Sequence, residues 1–156
     1  MVQLAIVLVV VMIVSAFQAR HLISRGEAAP NFVLRDLQGV EHELEQYRGK
    51  TVLLAFMAPW CTVCGLEASN LVAVSDDDPD KVVLGLMIDY SSPAEAQAFV
   101  EEHEISFPVL LGNESVHRAY AVKSFPTLYV IDEEGAIRHA VVGYTTWAGL
   151  KLRLAL

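Results

Sequence analysis

Two cysteines in 156 residues are too few for a disulfide-dense scaffold or a four-cysteine metal knuckle. Positive charge is scarce as well. Eleven Lys and Arg stand against nineteen Asp and Glu, a net charge of −8, which argues against a nucleic-acid binder. Acidic residues are missing from the first 26 positions, and no charge of either sign precedes Arg20. Repeats and low-complexity tracts are lacking, and the 54% apolar content is too high for a disordered chain. The length suits one domain with a sizeable core.

The apolar excess is concentrated at the start. Sixteen of the first 19 residues are apolar, and Leu4 to Val14 is unbroken. A core helix ordinarily carries a polar stripe, and this run has none. Three readings compete for residues 1–19: a single-span membrane anchor, which is favoured, a cleaved secretory signal, and a buried terminal helix. The run barely reaches the twenty or so residues that a span requires. The signal reading lacks a basic n-region, and Phe17 and Gln18 interrupt the small residues of a cleavage site. Arg20 and Arg25 follow the run with no basic residue before it, an order that by itself would put the domain on the cytoplasmic side. Residues 20–27 read as a linker and residues 28–156 as one domain. From residue 27 onward nine basic residues face nineteen acidic ones, a net −10.

That domain alternates strand and helix patterns. Strands are expected at Phe32–Leu34, Thr51–Met57, Val82–Ile88, Phe107–Leu111, Thr127–Ile131 and Ile137–Gly143. The apolar run Thr-Val-Leu-Leu-Ala-Phe-Met has the composition of a central strand covered on both faces. Helices are expected at Cys61–Val74, Pro93–His103, Ser115–Ala121 and Thr146–Leu156, with a helical turn at Leu44–Tyr47. Pro93 suits a first helical turn that Ser91 or Ser92 can cap. Turns fall at Asp36–Gly39, Asp76–Asp80 and Asp132–Gly135. The order predicts a three-layer α/β sandwich with a mixed sheet.

Cys61-Thr62-Val63-Cys64 follows the strand Thr51–Met57 and opens the next helix. A helix N-terminus turns unpaired amides and the positive dipole end toward the first sulfur, favouring thiolate at Cys61. The thiolate is the attacking species in disulfide exchange, and Cys64, nearly one turn on, is within reach to resolve a mixed disulfide. Other uses of the pair fit less well. Zinc needs two more ligands, and His21, His42, His103, His117 and His139 are scattered with no pair at i, i+4. Haem attachment needs a histidine where Gly65 stands. A static disulfide over so short a loop stabilises little. A Cu(I)-binding module using the two thiolates would want a flanking Met or His, and only Met57 is near. Glu67, three residues after Cys64, shares its helix face; a partly buried carboxylate there could accept the thiol proton.

Ala58-Pro59-Trp60-Cys61-Thr62-Val63-Cys64, together with Phe125-Pro126-Thr127, resembles the thioredoxin superfamily. More narrowly, with Ala29-Pro30-Asn31-Phe32 and the segment from Tyr90 to Gly112, the chain resembles the TlpA/ResA-like membrane-anchored thiol-disulfide oxidoreductases over about residues 28–145. The resemblance implies a thioredoxin-like α/β/α fold with an N-terminal hairpin and a central insertion. It implies a redox disulfide Cys61–Cys64, and a cis Pro126 against it. Phe125 would offer its backbone to an extended substrate, with Trp60 presenting a flat surface, and Glu67 would tune or deprotonate a thiol. No cofactor or metal is expected. The partners implied are protein thiols and disulfides on the extracytoplasmic (periplasmic) side, apocytochrome c among them, with a membrane electron donor of the DsbD/CcdA type.

The chain departs from the pattern in places. The aspartate that thioredoxins bury beneath the cysteines is Ala55 here. The Thr-Val dipeptide is neither Gly-Pro nor Pro-His, which suggests a reducing or intermediate potential. The same residues run in reverse would make a disulfide-forming oxidase. The Pro-Asn-Phe opening is shared with peroxiredoxin-type peroxidases, but these need a threonine three residues before the reactive cysteine, where Ala58 stands.

Overall fold

A computed structural model of the protein describes residues 2–78 and 80–156. In chain order the elements are α1 (Val2–Ala19), β1 (Val33–Arg35), β2 (Glu41–Glu43), a 3-10 turn (Leu44–Tyr47), β3 (Thr51–Met57), α2 (Thr62–Asp77), β4 (Lys81–Met87), α3 (Pro93–Glu102), β5 (Val109–Leu111), α4 (Glu114–Ala119), β6 (Thr127–Ile131), β7 (Ile137–Val142) and α5 (Trp147–Ala155). Five strands form one mixed sheet in the order β5-β4-β3-β6-β7. β3, β4 and β5 are mutually parallel, β6 runs antiparallel to β3, and β7 antiparallel to β6.

Alternation along β3 divides the core. Leu53, Ala55 and Met57 face α2, α3 and α5, while Val52, Leu54 and Phe56 face Phe32, Leu34, Val116 and Tyr120. Every residue of β3 is buried, as expected for a strand covered on both sides. The layers are therefore α2, α3 and α5, then the sheet, then α4 with the N-terminal segment. Side-chain caps fix the helix starts. Ser92 accepts from Glu95 N–H, Asn113 from Val116 N–H and Thr146 from Gly149 N–H.

Several boundaries differ from expectation. α2 runs to Asp77 rather than Val74, so it absorbs the start of the expected acidic turn Asp76–Asp80; Pro79 of that turn, like Met1, lies outside the described residues. Carboxylates at a helix C-terminus oppose the dipole, but here Lys151 pairs with Asp77 at 3.2 Å and Lys81 with Asp78 at 3.0 Å. The first strand is shifted to Val33–Arg35 and pairs antiparallel with β2. β2 is Glu-His-Glu, without strand propensity of its own. It is held by burial of His42 and by the pairing.

The N-terminal run is an 18-residue helix with Leu4 to Val14 and Phe17 exposed. At 1.5 Å per residue it spans about 27 Å, short of the roughly 30 Å hydrocarbon core. Among the described residues no helix is long and apolar enough to cross a membrane, so the single-span anchor finds no counterpart in the fold. The buried-helix reading is not met either, because these side chains are exposed.

Candidate active site

β3 ends at Met57, and the corner Ala58-Pro59-Trp60 carries the chain to α2. Cys61 is the N-cap of α2. Its backbone is extended, its N–H donates to the Ala58 carbonyl at 3.1 Å, and its Sγ accepts from the Cys64 N–H at 3.2 Å. The cap sulfur thus receives an amide of the first helical turn, the arrangement that favours a thiolate once the bond is reduced. Cys61 and Cys64 are joined as a disulfide with Cα atoms 5.3 Å apart. Both are buried, at 6% and 1% exposure, Cys61 being the more exposed residue. The core beneath includes Ala55 and Met57 of β3.

Glu67 is buried one turn beyond Cys64, on the inner side of α2. Burial pushes its carboxyl up to about 7, and a hydrogen bond from the Thr145 N–H to Oε1 at 2.6 Å holds it back from rising further. Among the described residues no cation pairs with it. Asn70, one turn later, donates to the Thr145 carbonyl and to the Tyr144 hydroxyl, tying the β7–α5 loop to the same helix. The Thr145 hydroxyl oxygen is buried with no partner among the described residues.

The Phe125–Pro126 peptide is cis, directly before β6. Phe125 packs T-shaped against Trp60, ring centroids 5.8 Å apart, and stacks with His117 at 5.9 Å. Trp60 is 61% exposed, which sets aside simple core packing for it. Its Nε1–H donates to Asp89 Oδ2 at 2.8 Å, so the indole is held at one edge while most of the side chain stays exposed. A groove of about 650 Å³ runs from Phe125 past His117, Asp89 and Gly112.

The structure therefore brings Cys61 and Cys64 together with Glu67 at their helix, and gathers Trp60, Phe125 and Pro126 around the corner. Thr145, Asp89 and His117 also touch the site and were not singled out from the sequence. Thr145 meets Glu67 across 78 residues and Asp89 meets Trp60 across 29. No local pattern marks such contacts. Among the described residues no three His, Cys, Asp or Glu side chains converge where a metal ion would sit.

A CxxC at the strand-to-helix corner of this mixed sheet defines a thioredoxin-like thiol-disulfide oxidoreductase. The comparisons agree. Residues 25–140 match the AhpC/TSA family model. The thiol-disulfide oxidoreductase ResA of Geobacillus thermodenitrificans (strain NG80-2) is 31% identical over 140 residues, which cover 88% of this chain and 80% of that protein. A Chlorobium tepidum structure assigned as thiol:disulfide interchange protein DsbE has a TM-score of 0.79 at 24% identity, covering 85% of this chain and 96% of that one. The pneumococcal exposed lipoprotein thioredoxin Etrx1 of Streptococcus pneumoniae strain TIGR4 has a TM-score of 0.73 at 26% identity, covering 81% and 98%. The chain belongs to the AhpC/TSA family, and its enzymatic type is the CxxC thiol-disulfide oxidoreductase of the ResA/DsbE kind.

Proposed function

We propose that the protein reduces disulfides in exported proteins on the extracytoplasmic side, with Cys61 as the attacking thiolate. The observation that carries this reading is the position of Cys61, the N-cap of α2 and the more exposed residue of the pair. Reduced Cys61 attacks one sulfur of the substrate disulfide. The substrate S–S bond breaks, the displaced substrate thiolate takes up a proton, and a Cys61–substrate mixed disulfide remains. Cys64 then loses its proton to Glu67 and attacks Cys61, reforming the Cys61–Cys64 bond and releasing the second substrate thiolate. Substrate gains two electrons and the enzyme loses two.

Glu67 suits this role because it is buried, has no cation partner among the described residues, and is pushed by burial up to about 7. Trp60 and Phe125 form the apolar wall against which a substrate segment rests, and the backbone at Phe125–Pro126 aligns it. Ala58, where a peroxidase of the Pro-Asn-Phe group would carry threonine, argues against peroxide chemistry.

The oxidised enzyme requires a membrane dithiol donor of the DsbD/CcdA type, as resemblance to the ResA group suggests; apocytochrome c before haem attachment is one fitting substrate. Extracytoplasmic placement is supported by the relative described as an exposed lipoprotein and by the apolar residues 1–19, which we take as a segment that directs the chain to the membrane, with residues 20–27 a linker to the domain 28–156. A glutathione titration of the Cys61–Cys64 pair tests the direction. A potential near about −270 mV is expected of a reductant, and one near about −120 mV would make the protein a disulfide-forming oxidase instead. Stoichiometric Cu(I) binding without disulfide reduction would overturn the redox reading altogether.

A further inference from the structure

Charge is distributed unevenly over this acidic protein. No Asp or Glu occurs before Glu27 or after Glu134, whereas Arg20, Arg25, Arg138, Lys151 and Arg153 all lie in those two stretches. The fold brings the stretches together. α1 packs against β7, and Ala16 of α1 lines one cavity of about 480 Å³ with Val141, Tyr144 and Arg153. Three of these cations, Arg25, Arg138 and Arg153, lie near enough to His139 of β7 to act on its ring. Its imidazole is held below the usual histidine range first by burial and then by the charges of Arg25, Arg153 and Arg138. Arg138 is paired with Glu133, at 2.9 Å, and Lys151 with Asp77, but among the described residues Arg25 and Arg153 have no carboxylate partner.

The same side of the molecule exposes large apolar groups. Tyr144, Trp147, Leu152 and Leu156 are all exposed around α5, beside an α1 whose side chains from Leu4 to Val14 are exposed as well. Lys151 lies 5.5 Å over the Trp147 ring. Aromatic and aliphatic side chains interleaved with Arg and Lys, next to an apolar helix, fit the boundary between phosphate headgroups and acyl chains.

We propose that the face formed by α1, β7 and α5 docks on an anionic phospholipid surface. Arg25 and Arg153, which have no carboxylate partner among the described residues, meet the headgroup phosphates, while Trp147 and Leu152 enter the acyl boundary. The inference rests on the membrane association proposed above for residues 1–19, but it does not need α1 to cross the bilayer. It has a consequence for the enzyme. The β7–α5 loop that contacts Glu67 through Thr145 borders this face, so docking holds the CxxC end beside the bilayer that would carry its electron donor.

The two tryptophans make the proposal testable in the full chain. A Trp60→Phe variant leaves Trp147 as reporter on the docking face, and Trp147→Phe leaves Trp60 at the redox corner. Each is mixed with phosphatidylcholine vesicles, with or without phosphatidylglycerol, that carry brominated acyl chains. Trp147 emission should be quenched strongly only with phosphatidylglycerol. The quenching should weaken with salt and be largely lost in an Arg25→Gln/Arg153→Gln double variant, while Trp60 stays unquenched. Flotation of the chain with equal Trp147 emission on both vesicle types would overturn the docking face and leave the association of α1 standing. Failure to float would overturn both. Neither result bears on disulfide reduction measured without lipid, which tests the redox reading separately.

Discussion

Among the described residues two carboxylates are buried, and their surroundings drive them in opposite directions. Glu67 on α2 is 1% exposed and Asp36 beside the N-terminal hairpin is 7% exposed. Burial raises both. For Glu67 that dominates, because a single N–H, from Thr145, opposes it. For Asp36 burial is outweighed by the His42 ring at 2.9 Å and by the Val40 and Gln38 N–H groups at 2.8 and 2.9 Å, so its carboxyl is held below the ordinary range. His42 is in turn hydrogen-bonded to the Tyr47 hydroxyl at 2.6 Å. The hairpin carboxylate is fully satisfied and serves the fold. The helix carboxylate is left under-satisfied next to the redox pair, where a group able to gain and lose a proton near neutral pH is useful.

The largest effect is expected at Glu67. Its folded value, about 7, lies above its unfolded value of 4.5, so the folded state holds the proton more tightly. Stability therefore falls as pH rises from about 4.5 to about 7, and the full cost of ionising the buried carboxyl is present above that. Glu67→Gln keeps an acceptor for Thr145 and removes the charge. Urea unfolding should find it more stable than the parent at pH 8, by up to about 3 kcal/mol, and little different at pH 4. The same variant should slow the resolving step about a hundredfold at pH 8 and erase its inflection near 7 in stopped-flow exchange. Equal pH profiles for variant and parent would end the comparison.

A smaller effect of opposite sign is expected at Asp36. Its folded value lies below the unfolded one, so its contribution is present above about pH 4 and is lost as pH falls through the folded value. Asp36→Ala strands His42 and two backbone N–H groups, and should cost about 2 kcal/mol at pH 7 in urea unfolding while leaving the disulfide-exchange rate unchanged. Smaller again is Tyr47→Phe, which removes one partner of His42. About 1 kcal/mol is expected, with no change in redox kinetics. A rate change in either hairpin variant would mean that the two regions are not separable.

The same contrast separates what was legible in the sequence from what was not. The alternation of Leu53, Ala55 and Met57 with Val52, Leu54 and Phe56 is invisible as a pattern because both faces are buried. Even so, the unbroken apolar run marks β3 at the right residues. Cys61, Cys64 and Glu67 lie within seven residues of one another, so spacing alone joined them. Glu-His-Glu carries no strand signal of its own, so β2 is legible only through the hairpin that the resemblance implies, and α2 outlasts its local pattern because Lys151, 74 residues away, supports Asp77. What makes Glu67 titrate near neutrality, burial plus one N–H from Thr145, is a property of the closing loop and has no trace in the local sequence.

The division of labour between the two cysteines is the centre of the account, and trapping measures it directly. Reduced Cys64→Ser and Cys61→Ser variants are each mixed with a protein disulfide substrate, and the covalent products are mapped by peptide mass spectrometry. A persistent mixed disulfide at Cys61 in the Cys64→Ser variant, with none formed by Cys61→Ser, is the predicted result. A substrate adduct on Cys64 in the Cys61→Ser variant, formed as fast, would contradict it.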